Sequence, residues 1–139
     1  MQKIQSLDIG CGGAYRGSIN CDLKNPCDVM CDAHYLPFRN RVFMKSILNH
    51  ILEHCRNPVK VLNEALRVSR FTCVVVPASF HPYSHLDKSH LWFFSGSWFK
   101  KYAEAKGLKI SGTLRFDSER SFFYLPVELC VYLRKALEK

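Results

Sequence analysis

Four glycines, Gly10, Gly12, Gly13 and Gly17, follow directly on an apolar segment holding Leu7 and Ile9, and an acid, Asp22, closes the next apolar segment. Such an order suits a cleft at the carboxyl ends of parallel strands. Glycine tolerates positive φ and lets a ligand approach the backbone closely, while an acid at the end of the following strand accepts hydrogen bonds from ribose hydroxyls. The spacing is not the dinucleotide one. That fingerprint places its acid about 20 residues on, after a full helix, whereas Asp22 follows the glycines almost at once.

Two further groups of residues carry chemistry. His50-Ile-Leu-Glu-His54 matches His-x-x-Glu-His, a helical zinc pattern in which two histidines one turn apart bind the ion and the glutamate activates water, with Glu128 available as a third ligand. So short a pattern arises often by chance, and we expect no metal here. His85, Asp87 and His90 sit in a long polar and aromatic stretch, residues 79–95, whose length marks a functional loop rather than a connector. Cys27 and Cys31 have no second cysteine pair at ligand spacing, so they read as two residues on one face of a strand.

The elements that must position these residues are short strands and late helices. Of the 139 residues 47% are hydrophobic and 23% charged, the composition of one folded domain. No apolar run is long enough to span a bilayer and no basic-then-apolar leader opens the sequence, so a cytoplasmic location is expected. Seven cysteines, odd in number and mostly inside apolar segments, are expected to be reduced. The net charge of +8 favours an acidic partner such as RNA, although the basic residues are scattered rather than gathered into a stripe.

Apolar alternation predicts strands near 4–9, 18–22, 27–31, 42–48, 71–76, 108–116 and 126–134. A helix is expected over 58–69, capped by Asn57 with Pro58 at its first position and presenting Val59, Leu62, Leu66 and Val68. A second is expected over 97–106, with Phe99, Tyr102 and Ala103 inward and Gly107 as its stop, and an irregular stretch over 118–124 joins the last two strands. Seven strands with helices late in the chain make an α/β sheet.

Six segments, taken in order, resemble the class I S-adenosylmethionine-dependent methyltransferases, in particular the type 11 domains. They are Leu-Asp-Ile-Gly-Cys-Gly (7–12), Asn-Cys-Asp-Leu (20–23), Asp-Ala-His-Tyr-Leu-Pro-Phe (32–38), Leu-Asn-His-Ile-Leu-Glu-His (48–54), Asn-Glu-Ala-Leu-Arg-Val (63–68) and Asp-Lys-Ser-His (87–90). The resemblance implies a seven-stranded, mostly parallel Rossmann-like sheet with an antiparallel last strand, and S-adenosyl-L-methionine bound across the ends of the first four strands. It implies Gly10 and Gly12 at the methionine part, Asp22 at the ribose, Asp32 with Ala33 at the adenine, Asn49 near the sulfonium, and Asp8 and Leu23 among the residues binding the cofactor. Because that cofactor carries an activated methyl group, the protein has to supply alignment and, for an O or N acceptor, a base. His85, Asp87 and His90 are the candidates, with His50 next.

The sequence departs from the resemblance in its early helices, which are reduced or missing. Only residues 12–18 are left to join the first two strands. The later helices cover one face of the sheet, so the other is expected to be bare and to be covered by a second copy in a homodimer or by a partner subunit. Three function classes follow: a methyltransferase acting on a small molecule or RNA, a reduced methyltransferase-like subunit that binds cofactor or a partner without catalysis, and a His-x-x-Glu-His zinc hydrolase.

Overall fold

The computed structural model describes residues 6–115 and 128–135. Seven strands form one sheet: β1 (Ser6–Ile9), β2 (Ile19–Asp22), β3 (Val29–Met30), β4 (Phe43–Asn49), β5 (Ser69–Pro77), β6 (Leu108–Arg115) and β7 (Glu128–Lys135). Their order is β3-β2-β1-β4-β5-β7-β6, with β7 antiparallel to both neighbours and all the pairs from β3 to β5 parallel. The expected sheet and its antiparallel last strand are therefore present. The beginning of the expected first strand, the start of the expected last one and the stretch 118–124 lie outside the described residues.

Register divides the side chains between two faces. Leu7, Ile9, Cys21, Leu48, Val74, Val131 and Leu133 share one of them through successive pairs, and all are buried in the main core. Two helices pack there. Helix α1 (Pro58–Val68) starts on the Asn57 cap, whose side chain accepts from the Lys60 N–H, with Pro58 where its missing N–H costs nothing. It buries Val61, Leu62, Ala65 and Leu66, while Val59 lies outward. Leu62, Leu66 and Val68 are buried as expected, whereas Val59 gives its place on the inner face to Val61 and Ala65.

The helix runs into β5 without a loop. Ser69 Oγ donates to Ala65 O (2.6 Å) and meets Ser46 Oγ at 2.9 Å, and Ser46 Oγ meets Thr72 Oγ1 at 2.8 Å. A buried trio of hydroxyls thereby seals α1 to β4 and β5, and the strand begins earlier than apolar alternation predicted. Helix α3 (Gly96–Lys106) is capped by Ser95 and ends at Gly107, whose φ of 63° is the left-handed stop that glycine supplies without strain. Phe99, Tyr102 and Ala103 point inward as expected.

On the other face lie Asp8, Asn20, Ile47, Cys73, Val75, Cys130 and Tyr132. Neither α1 nor α3 covers it. The expectation of a bare face is nonetheless corrected at its centre, since Ile47, Cys73, Val75 and Cys130 are buried within the single chain. Tyr132 and Phe71, towards the β5–β7 end, and Met30, on β3, remain open on this face. A second copy of the chain is not needed to bury the middle of this face. No helix among the described residues is long and apolar enough to cross a membrane.

Parallel neighbours ordinarily need a crossover of about a dozen residues or more. Here residues 10–18 alone connect β1 to β2, and residues 23–28 connect β2 to β3, with no helix in either. Gly17 makes the first return fit. A Cβ there would lie 2.6 Å from Asp8 N and 2.6 Å from Ile19 O, so the loop backbone rests directly on β1. Asn20 completes the clamp: its Oδ1 accepts from the Gly17 N–H (2.9 Å), and its amide donates to Gly17 O and Asp28 Oδ2.

Candidate cofactor cleft

The carboxyl ends of β1, β2, β3 and β4 open on a cleft of about 1160 Å³, lined among others by Gly10, Gly12, Asp22, Asp32, His50 and Ile51. It stands where the strand order reverses, with β2 on one side of β1 and β4 on the other. That is the position at which open α/β sheets bind ligands.

Its first wall is the glycine turn. Gly10, Gly12 and Gly13 have φ of 70°, 58° and 85°. The Gly10 and Cys11 N–H groups both donate to Cys21 O, at 2.8 and 3.0 Å, which ties the turn to β2. A Cβ at Gly10 would collide with the side chain of Ile51. Two walls of the cleft therefore meet over a residue that must be glycine.

Asp22 closes the opposite side. Its Oδ1 accepts three hydrogen bonds, from the Lys24 N–H (2.9 Å), the Asn25 N–H (3.0 Å) and the Asn25 amide (3.1 Å). Its Oδ2 accepts one, from the Gly12 N–H at 3.0 Å. Burial pushes the carboxyl up, but the backbone N–H groups of Asn25, Lys24 and Gly12 outweigh it and bring the pKa down to about 2. Each carboxylate oxygen has room for about two acceptor contacts. Oδ1 is saturated, and Oδ2 keeps one for a ligand hydroxyl.

Beyond it, Asp32 Oδ1 accepts from the His34 N–H (2.9 Å) and pairs with His34 Nδ1 (2.7 Å). The backbone N–H of His34, then its ring, lower the Asp32 pKa. Ala33 lines the cleft beside it, and Leu23 lines it with 55% of its surface exposed. The loop carrying these residues is held from behind. Glu64 Oε2 accepts from the Leu36 N–H (2.8 Å), while the Arg67 guanidinium donates to Leu36 O (2.9 Å), Phe38 O (2.7 Å) and both Glu64 oxygens.

Six of the eight residues expected at the cofactor line the cleft; Asp8 and Asn49 do not. Asp8 is wholly buried on the face crossed by the Gly17 loop, where Oδ2 accepts from the Arg16 N–H at 3.0 Å and pairs with its guanidinium at 3.6 Å. It holds the glycine turn from beneath. Asn49 is the last residue of β4, and the chain turns into the cleft one residue later, at His50, whose φ is 53°.

Of the four residues expected to do proton chemistry, only His50 lines the cleft. Both of its nitrogens are engaged, Nδ1 with Glu53 Oε1 at 3.1 Å and Nε2 with Glu128 Oε1 at 2.7 Å. The Glu53 hydrogen bond raises its pKa against the effect of burial, and Glu128 adds to the rise. His85 donates from Nε2 to Ser79 O (2.6 Å) and stacks on Phe93. Asp87 and His90 lie beside one another, 3.4 Å apart, outside the cleft. The stretch 79–95, expected to be a loop, contains the short helix α2 (Pro82–Leu86) and docks through the Leu91 N–H to Glu53 O (2.7 Å) and Trp92 Nε1 to Cys55 O (2.8 Å).

The zinc-hydrolase geometry is not formed by the His-x-x-Glu-His match. Residues Leu52–His54 make a single 3-10 turn and His50 precedes it in a left-handed conformation, so the two histidines do not share a helix face. His50 is turned instead towards two carboxylates. None of the seven cysteines is joined in a disulfide among the described residues.

Sequence reasoning did not single out His34 and Lys60 in the cleft wall. No local sequence signal marks them, because their place in the wall depends on how separate segments meet.

Neither a known family model nor a curated protein matches the sequence. Solved structures do match in fold. A SAM-dependent methyltransferase of Thermotoga maritima aligns with a TM-score of 0.74 at 12% identity, over 95% of this chain and 82% of that one. The chain bound to the methyltransferase activator Trm112 in a Haloferax volcanii complex aligns with a TM-score of 0.66 at 12% identity, over 95% and 82%. The cyclase SpnF aligns with a TM-score of 0.71 at 13% identity, over 97% and 75%. The chain therefore has the class I methyltransferase fold, and within that fold lie proteins named for other chemistry.

Proposed function

We propose that the chain binds S-adenosyl-L-methionine in the cleft between the glycine turn and Asp22 and transfers its methyl group to an O or N acceptor, a small molecule or RNA. The observation that carries this reading is the Asp22 carboxylate. One oxygen is saturated by the loop that follows, and the other is held by the Gly12 N–H with one acceptor contact to spare. That is the donor-seeking group a ribose hydroxyl fits.

When bound, the cofactor would supply a sulfonium methyl already activated towards in-line displacement. Asp22 would hold the ribose, Gly10 and Gly12 would let the methionine part approach the backbone, and Asp32 with Ala33 would bound the adenine. The contribution of the protein to rate would then be alignment of the acceptor with the methyl, the largest share that positioning alone can provide. The net charge of +8 supports an anionic acceptor.

Calorimetric titration of the whole chain with S-adenosylmethionine and S-adenosylhomocysteine tests the reading. Asp22→Ala should weaken binding by about 1.5–3 kcal/mol, the range for a lost hydrogen bond to a charged group. No heat at millimolar cofactor rejects it.

A second reading is favoured by one observation. Among the described residues, His50 is the expected base that reaches the cleft, and both of its nitrogens are occupied by carboxylates. In this reading the chain is a reduced subunit that binds cofactor, or a partner, without turnover. The activator-bound structural neighbour supports a partner of that kind. Cofactor binding with no methyl transfer to any acceptor tested would select it.

A further inference from the structure

Glu53 is 1% exposed, and its Oε2 has no hydrogen-bond partner among the described residues. A buried carboxylate oxygen left without a partner is costly, and the group that normally relieves the cost is a cation. Besides His50, whose Nδ1 lies 3.1 Å from Glu53 Oε1, two further imidazoles stand near it. His54 Nε2 is 4.0 Å from Glu53 Oε1, the His54 and His90 rings are 4.9 Å apart between centroids, and one donor atom from each of Glu53, His54 and His90 falls within 4.8 Å of the others.

The hydrogen bonds behind the rings decide which nitrogens are free. His90 Nδ1 lies 2.8 Å from Ser84 O, a carbonyl that can only accept, so Nδ1 carries the proton. His54 Nδ1 lies 3.2 Å from Ser89 O and 3.1 Å from Ser89 Oγ. The Ser89 hydroxyl proton is donated to Asp87 Oδ1 at 2.6 Å, so His54 Nδ1 is again the donor. In the neutral tautomers both Nε2 atoms then hold lone pairs, and both rings are oriented by a backbone carbonyl. Metal-ligating histidines are oriented in this manner.

We infer that Glu53, His54 and His90 form a binding site for one divalent transition-metal ion. Two imidazole nitrogens and one carboxylate suit zinc, iron(II) or manganese better than magnesium or calcium, which prefer all-oxygen shells. Bonds of about 2.0–2.2 Å require the three donors to draw in by roughly an ångström, which side-chain rotation can supply. Asp87 Oδ2, 3.4 Å from His90 Nε2, is a further carboxylate oxygen beside the trio. The half-exposed His54 ring leaves an entry path and a position for water. The site differs from the pattern weighed in the sequence, for His50 is excluded by its two carboxylates and His90 comes from a distant segment. An ion here would fasten the segment 84–92 to the turn at the edge of the cleft.

The test is titration of chelator-stripped whole chain with Zn²⁺, Mn²⁺ and Mg²⁺ in competition with a chromophoric chelator and with no cofactor present, so that its outcome is separate from that of cofactor binding. One Zn²⁺ or Mn²⁺ per chain is expected, with Mg²⁺ at least tenfold weaker. His54→Ala, His90→Ala and Glu53→Gln should each lose at least tenfold in affinity, and His85→Ala, in the same segment, should lose none. Should Glu53→Gln fail to fold by circular dichroism, the His54→Ala/His90→Ala double variant decides. Absence of saturable binding at micromolar ion overturns the assignment, as does stoichiometric binding that survives in that double variant.

Discussion

The Gly12 N–H donates to Asp22 Oδ2 at 3.0 Å, joining the glycine turn after β1 to the acid at the end of β2. One carboxylate therefore fixes both rims of the cleft, and its ionisation is a term in the stability of the fold. Its pKa is lowered from 3.8 to about 2 on folding. A depressed carboxylate contributes stability that is fully present above its unfolded pKa and is lost as pH falls through the folded one.

From this follows a prediction about acid unfolding. Between about pH 4 and pH 2 the wild-type chain should lose on the order of 2 kcal/mol through Asp22. In Asp22→Asn that component should be absent, so the difference between variant and wild type in urea unfolding should shrink as pH falls across the window. A difference that stays constant would show that the carboxylate is not held as the structure has it.

Gly17 offers a sharper structural test. Its hypothetical Cβ meets the backbone atoms Asp8 N and Ile19 O at 2.6 Å, and neither can move without opening the sheet. Gly17→Ala should cost about 2 kcal/mol or more, in the range for overpacking against rigid neighbours. Gly96→Ala, where nothing lies within 4 Å of the added carbon, should be neutral or slightly stabilising. Urea midpoints of the two variants compare them directly.

Arg67 and Glu64 stand outside the cleft and yet hold the loop that carries Asp32 and Ala33 into its wall. Removing the guanidinium leaves Leu36 O and Phe38 O without their donor. Arg67→Ala should destabilise the chain by about 1.5–3 kcal/mol, the worth of hydrogen bonds to a charged group. Arg67→Lys should recover only part of it, because an ammonium cannot reproduce the planar fork. Thermal unfolding measures both, and an unchanged midpoint in Arg67→Ala would remove the loop from the fold's support.

What could be read in the sequence was what local chemistry dictates. The caps at Asn57 and Gly107, the glycine turn and the acid at the end of β2 each carry their reason within a few residues. What could not be read depends on how separate segments meet. Asp8 sits in the glycine-turn segment, but whether it faces the cleft or the underside depends on the path of a loop that returns over Gly17. The partner His50 meets was equally hidden, since Glu128, which binds its Nε2, lies far away in sequence. The bare face was misjudged for the same reason, since the burial of Ile47 and Val75 is a property of the whole chain and not of their strands.

The short returns after β1 and β2 give the molecule two parts of unequal cohesion. Strands β4, β5 and β7 are backed by α1 and α3 and give the main hydrophobic cluster many residues, whereas β2 and β3 reach it only through Ile19, Cys21 and Val29 among the described residues and are otherwise held by polar bonds of Asn20, Asp22 and Asp28. Segments with few apolar contacts open locally at lower free energy than those at the centre of a core. Amide protons of β2 and β3 should therefore exchange with solvent well before those of β4 and β5. A ligand that bridges Asp22 and Gly10 would slow that exchange, so that occupancy of the cleft and the order of this edge of the sheet become one equilibrium.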